Sequence, residues 1–172
     1  MHILDTERLT IRQFTLEDDA FILELLNEPG FIQNIADRNV RSLEDARRYL
    51  EQGPLASYAA NGFGLFRVGL KQSDTSIGMC GLIRRTVLPD VDVGYAILQR
   101  YSGRGYASEA AAAMLDYGYR VLKLPRIIAI TAPDNSGSIR VLEKIGLHYD
   151  RIINLPDLGG ESRLFVPGTP RF

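Results

Sequence analysis

The sequence predicts an α/β (α+β) domain, with helices and strands intermixed around one sheet. Three observations carry this expectation. Strand-like runs of alternating or β-branched residues recur along the chain, an alanine-rich stretch in its second half marks a long helix, and turn residues stand at nearly every junction. The 172 residues suit one domain, 1–172, with a single sizeable core.

The elements follow in order. Leu9-Thr10-Ile11-Arg12 alternates as a short strand does. Thr15 before Leu16-Glu17-Asp18 is an acidic variant of a capping box, so a helix is expected through Leu26, stopped by Pro29-Gly30. Ser42-Leu43-Glu44-Asp45 repeats the start signal for a second helix, expected to halt at Gly53-Pro54. Phe63 to Leu70 and Ser76 to Arg85 form two strand-like runs around the polar turn Lys71-Gln72-Ser73-Asp74. Val91 to Leu98 is a third, after Pro89-Asp90. From Ser108 to about Leu122 the run Ala110-Ala111-Ala112-Ala113 predicts a helix, alanine being the strongest helix former. Arg126 to Thr131 is a β-branched run and so a buried strand, and Asn135 to Ile145 is a short helix closed by Gly146. His148 to Leu155 and Glu161 to Val166 complete the set, flanking a Pro156…Gly159-Gly160 turn.

Composition limits the function. A net charge of −1 supplies no overall positive field, so no nucleic-acid partner is expected. No apolar run approaches the ~18–20 residues that span a bilayer, so no membrane is expected either. Met1-His2-Ile3-Leu4-Asp5 lacks the basic-then-apolar layout of a secretory signal, and the expected location is cytoplasmic. The single cysteine, Cys80, excludes an intramolecular disulfide framework and is expected in the core. His2 and His148 lie far apart and belong to no ligand-spaced cluster, so no metal is expected; His148 reads as a strand-edge side chain.

The segment with the most chemistry is Arg100-Tyr101-Ser102-Gly103-Arg104-Gly105-Tyr106-Ala107-Ser108-Glu109, between a strand and a strong helix. Gly103 and Gly105 permit backbone conformations and a close approach that a side chain would block. Successive N–H groups and the positive end of the following helix can then hold a pyrophosphate, with Arg104 adding charge. Dinucleotide-binding folds use a similar turn, G-x-G-x-x-G, but Ser108 stands at the third glycine position and no acidic residue follows about 20 residues on. Asn135-Ser136-Gly137-Ser138-Ile139-Arg140-Val141-Leu142 is, by itself, a helix capped by Asn135 with Ile139, Leu142 and Ile145 on a core face.

Together the two segments resemble the GNAT superfamily of acetyltransferases, in its RimJ/RimL-like branch. Arg100-x-x-Gly103-x-Gly105 matches the family's Q/R-x-x-G-x-G/A loop, and Asn135-x-x-Ser138 with Leu142-Glu143-Lys144-x-Gly146-Leu147 matches its next motif. Asp5-Thr6-Glu7-Arg8-Leu9 looks like that branch's N-terminal strand, and Ile77-Gly78-x-Cys80-Gly81 and Val93-Gly94-Tyr95 resemble its central strands. The resemblance implies a mixed, mostly antiparallel sheet whose two middle strands splay to admit the pantetheine arm of acetyl-CoA. It implies that Val93 to Leu98 line that arm, with Ile97 offering backbone hydrogen bonds. Arg100 and Gly103 to Ser108 (Gly103, Arg104, Gly105, Tyr106, Ala107, Ser108) would hold the pyrophosphate. Asn135 would bind the pantetheine chain and Ser138 would face the sulfur. A homodimer is plausible for the family.

Acyl transfer to an amine needs a base for the ammonium, donors for the oxyanion and a proton for the thiolate. The candidate base is Asp92, with Asp134 a weaker one, and a backbone N–H near Tyr95 to Ile97 is the candidate oxyanion donor. Many GNAT enzymes place an acidic tyrosine seven residues after the motif asparagine, where this chain has Leu142. Ser138 is the candidate contact to the thiolate, and Tyr149 another donor. Ping-pong chemistry through Cys80 is a lesser reading. The acceptor groove is expected from the first two helices and the late strands, including Phe31 to Arg38 and Leu155 to Gly160. A protein N-terminus and a small-molecule amine both remain open as acceptor, as does a noncatalytic acyl-CoA-binding module on the same fold.

Overall fold

Eight short runs of strand-forming residues pair into one sheet in the computed structural model, which describes residues 1–156 and 159–168. The strands are β1 (His2–Asp5), β2 (Leu9–Arg12), β3 (Leu65–Leu70), β4 (Ser76–Ile83), β5 (Val91–Ile97), β6 (Ile127–Thr131), β7 (Leu147–Leu155) and β8 (Gly160–Pro167), in the spatial order β1-β2-β3-β4-β5-β6-β8-β7. Every pair is antiparallel except β5 with β6. A parallel pair needs a crossover, and the alanine-rich helix supplies it. The helices are α1 (Asp19–Leu26), α2 (Pro29–Asn34), α3 (Leu43–Leu50), α4 (Ala56–Asn61), α5 (Tyr106–Arg120) and α6 (Ser136–Lys144).

The expected capping box forms: the Thr15 N–H donates to the Asp18 carboxylate at 2.8 Å, and the Thr15 hydroxyl accepts from the Glu17 N–H at 3.3 Å. α1 ends at Leu26 as expected, but neither Pro29-Gly30 nor Gly53-Pro54 halts helical structure there. Pro29 opens α2 directly after α1, because a proline at the first helical position lacks only an N–H that would be unpaired there anyway. Gly53-Pro54 does not end the second helix. The chain passes through a π-helical turn, Glu51–Leu55, into α4, and stops at Gly62, whose φ of +78° is left-handed. Strand edges shift as well, since Phe63 packs into the core ahead of β3 and Arg85 lies beyond β4.

Alternation puts one set of side chains on each face of the sheet. On one face, Leu82, Val93, Ile127 and Phe165 pack against Ala110, Ala111 and Met114 of α5. Small residues let that helix lie close: a Cβ added at Gly118 would come 2.5 Å from the Ile127 Cδ1. On the other face, Phe14, Met79 and Leu98 meet Ile22, Leu25 and Leu26 of α1 with Ala46 and Leu50 of α3. Fully burying a leucine or isoleucine contributes about 1.5–3 kcal/mol, so these two layers clamp the central strands from both sides.

The stretch Asp5 to Leu9 is not one strand. Asp5 ends β1, Leu9 starts β2, and residues 6–8 form the turn between them, closed by Thr6 N–H to Leu9 C=O at 2.9 Å. That turn reaches the first turn of α5. The Glu109 carboxylate accepts from the Thr6 hydroxyl (2.5 Å), the Arg8 N–H (3.0 Å) and Arg8 Nε (2.8 Å). Arg8 Nη1 also donates to the Arg104 carbonyl at 3.0 Å, and the guanidinium lies 4.4 Å over the Tyr106 ring. Burial alone would raise the Glu109 pKa, but the bonds from Thr6 and Arg8 outweigh it and hold the carboxyl below its usual range. The glycine loop before α5 is thereby tied to the sheet edge. Replacing Glu109 by alanine should speed hydrogen exchange at residues 103–106 about tenfold or more, with a much smaller effect on the amides of β4, which exchange only by global opening. Unchanged exchange in the loop would show that the clamp does not hold it.

Candidate functional site

The site begins where two strands part. Val91 pairs with Ile127 and Asp92 with Ile128, and the β5–β6 ladder ends there although β5 continues to Ile97. The Leu98 N–H donates to the Ile77 carbonyl at 2.8 Å, so the backbone of Leu98, and by alternation that of Ala96 and Gly94, faces β4. The polar backbone groups of Tyr95 and Ile97 therefore face the opening. β6 has meanwhile turned to β8, pairing Ala129 with Phe165 and Thr131 with Arg163. A cavity of about 1000 Å³ occupies the parting and runs along both ends of it.

At one end lies the glycine loop. Gly103 and Gly105 have φ of +75° and +82°, which a side chain strongly disfavours. Gly105 caps α5 without any side-chain bond, and Glu109 N–H is the first to find a helical acceptor, at Gly105 C=O (3.0 Å). The N–H groups of Tyr106, Ala107 and Ser108 are the unpaired donors that every helix start carries. With Glu109 drawn away by Thr6 and Arg8, no acidic side chain competes for them. Gly103, Gly105, Tyr106, Ala107 and Ser108 all line the cavity. The two arginines do not. Arg100 pairs with Glu24 of α1, and Arg104 lies 5.8 Å over the Tyr101 ring.

Across the opening, the Asn135 side chain accepts from the Ser138 N–H at 3.2 Å and caps α6. The Tyr95 hydroxyl lies 2.8 Å from the Ser138 hydroxyl and 3.1 Å from the Ser138 carbonyl, to which it donates. This pair straps β5 to α6 over the gap. Burial pushes the Tyr95 phenol up to about 12, outweighing the Ser138 hydrogen bond, so it stays protonated at neutral pH. Leu142 is buried in the core, while Tyr149 is half exposed against Phe165 and stands away from the cavity. Asp134 is an exposed turn residue. Cys80 is fully buried, and burial lifts its thiol far above the usual range.

Asp92 sits at the branch point itself. It is 1% exposed and lines the cavity, with Arg85 Nε 3.0 Å from its carboxylate. Burial raises its pKa to about 6, outweighing the pull of Arg85 in the other direction. Arg85 was not singled out by the sequence. The register Ile83↔Asp92 across the hairpin places it, and that register appears only once the strands are paired.

The other end of the cavity is walled by residues 30–36 and Arg38, by Tyr49 of α3, and by Glu161 and Ser162 of β8. Phe31 to Ala36, Arg38 and Gly159, all within the two segments expected to form the acceptor groove, line this cavity; Gly160 does not, and residues 157 and 158 lie outside the described residues. Leu155 lines a separate, smaller cavity. The phenols of Tyr49 and Tyr95 carried no sequence signal distinguishing them from core aromatics. Among the described residues, no three His, Cys, Asp or Glu side chains gather as a metal site would require, and no helix is long and apolar enough to cross a membrane.

Comparison with known proteins agrees with this geometry. Residues 8–148 match the Acetyltransferase (GNAT) domain family. An uncharacterized N-acetyltransferase of Bacillus subtilis, YnaD, is 33% identical over 150 residues, covering 87% of this chain and 84% of that protein. The crystal structure of an acetyltransferase from Agrobacterium tumefaciens superimposes with a TM-score of 0.82 at 25% identity, over 96% of this chain and 94% of that one. RimL, a ribosomal L7/L12 alpha-N-protein acetyltransferase solved with coenzyme A, shares the fold with a TM-score of 0.80 at 15% identity, over 96% and 97% of the two chains. The chain belongs to the GNAT family of acetyltransferases and is an acetyl-CoA-dependent N-acyltransferase.

Proposed function

We propose that the chain moves an acetyl group from acetyl-CoA to a primary amine, a protein N-terminus or a small-molecule amine, by direct attack in a ternary complex. The observation that carries this reading is the parting of β5 from β6 beside an uncapped helix start, which gives one cavity both backbone donors for an amide-bearing arm and a cradle for a pyrophosphate. In this reading Ile97 and Asn135 bind the pantetheine chain, and Gly103, Gly105, Tyr106, Ala107 and Ser108 hold the pyrophosphate. Arg100 and Arg104 support the loop from outside, through Glu24 and the Tyr101 ring.

Asp92 takes one proton from the acceptor ammonium and passes it to water. The amine nitrogen then forms the new C–N bond, the Tyr95 N–H donates to the oxyanion, and the C–S bond breaks. The second nitrogen proton ends on the departing sulfur, with the Ser138 hydroxyl, held against the Tyr95 hydroxyl, beside it. Holding amine and thioester together is worth on the order of 7–11 kcal/mol at best, more than any one of these groups supplies. Leu142, in place of an acidic tyrosine, favours a second reading, a noncatalytic acyl-CoA-binding module. Binding of acetyl-CoA with no transfer to any of a broad panel of amines would decide for it.

Two substitutions test the assignment. Gly105→Glu puts bulk and negative charge in the cradle, and calorimetry should find saturable acetyl-CoA binding in the parent and none in this variant. Undiminished affinity in a folded variant would refute the cradle. Asp92 must be ionised to accept a proton, and its raised pKa means that this form fills in only above about 6. The value of kcat/KM should therefore climb as pH rises through about 6 and then level off. Asp92→Asn should lower turnover about 100-fold or more, in line with loss of a general base, and remove that limb. An unchanged pH profile would remove Asp92 from the role.

A further inference from the structure

The acceptor end of the cavity is unevenly charged. Two of the carboxylates that line it are engaged: Glu28 accepts the Gln99 N–H at 3.0 Å, and Asp92 holds Arg85 at the branch point. Glu161 lines the rim on β8. Arg38, an exposed side chain on the segment between α2 and α3, also lines the cavity. Its sequence neighbour Asp37 is committed to Arg41, both carboxylate oxygens accepting from Nη2 at 2.9 and 2.7 Å. Among the described residues Arg38 has no ion-pair partner. Its charge acts on the Tyr49 phenol: burial raises that phenol's pKa while Arg38 opposes the rise. Arg38 and Tyr49 both line this cavity, as do the buried side chains of Phe31 and Met79.

We infer that the acceptor is an amino carboxylate, its ammonium directed to Asp92 and its carboxylate received by Arg38 and Tyr49. The inference rests on the acetyltransferase reading and names the substrate class for it. A guanidinium presents paired N–H donors that match a carboxylate in geometry and charge, and a phenol adds a third donor to the same oxygens. A second amine on the acceptor would instead bring a like charge against Arg38, which disfavours diamines and polyamines. Phe31 and Met79, which line the same cavity, offer apolar contact to the carbon skeleton that separates the acceptor's charges. The same chemistry is offered by a free amino acid and by a polypeptide N-terminus whose first residues carry an acidic side chain.

The test is steady-state acetylation by the full chain of free amino acids, their primary amides, short peptides with acidic or neutral leading residues, and a polyamine, with rates referred to the free-amine concentration. For the preferred acceptor the acid should exceed its own amide in kcat/KM by about ten- to hundredfold, the weight of a charged hydrogen-bonded contact. In Arg38→Gln that ratio should fall toward one, and Tyr49→Phe should lower it several-fold, while the KM for acetyl-CoA stays put. Arg38 is exposed on a loop, so its variant should fold. A preference for free amino acids over acidic peptides, or the reverse, identifies which source the site serves. Equal use of acid and amide, preference for the polyamine, or a ratio untouched by Arg38→Gln would overturn the inference even though acetyl transfer occurs. Failure to bind acetyl-CoA would instead bring down the acetyltransferase reading and this inference with it.

Discussion

The structure turns on an interruption. Two parallel strands that begin in register separate after two pairs, and everything at the site is arranged around the opening they leave. Leaving backbone N–H and C=O groups unpaired inside a fold is costly, so a strand rarely abandons its ladder without a substitute. Here the strand borders a cavity, and in the proposed reading Tyr95 and Ile97 present their edge there to an extended amide-bearing ligand. The flanking layers keep the opening from closing. α5 packs under β4 and β5 on one face, α1 and α3 cover the other, and the Tyr95–Ser138 bond fixes the distance to α6.

In the proposed reading, a protein of net charge −1 binds an anion in this way without a basic surface. The donors are the first N–H groups of α5, the local field is that of a helix start, and the nearest acidic side chain is held elsewhere by Thr6 and Arg8. Clearing the loop of its own carboxylate is the part of this design that crosses the whole chain, since Glu109 and Thr6 lie 103 residues apart in sequence. The opposite problem arises at Asp92, where the proposed base is a carboxylate that is buried. Arg85 keeps it accessible to ionisation, while burial lifts its pKa toward the range in which a base can both take and release a proton.

The glycine loop was legible in the sequence because its backbone conformation dictates residue type: positive φ at 103 and 105 leaves a glycine signature that a linear reading can find. The Asn135 cap and the alanine helix were legible for the same reason, each being local. What escaped was non-local. Residues 6–8 were taken into a strand because a three-residue turn whose purpose lies at Glu109 has no local mark. The Gly53-Pro54 step was read as a stop because proline breaks an α-helix, yet a π-helical turn carries it. Arg100 is placed by motif and Arg104 by its position in the loop, and a sequence does not tell which way a guanidinium points. The partners Arg85 and Tyr49 depend on hairpin register and on how the segment after α2 folds over the cavity.

The most direct measurement of the central claim is residue-resolved hydrogen exchange along β5 with and without saturating acetyl-CoA. The account predicts that the Tyr95 and Ile97 amides, which face the opening, become strongly protected when acetyl-CoA is bound, while Ala96, already paired with β4, changes little. Binding that leaves Tyr95 and Ile97 as they were would place the ligand outside the gap and contradict the account.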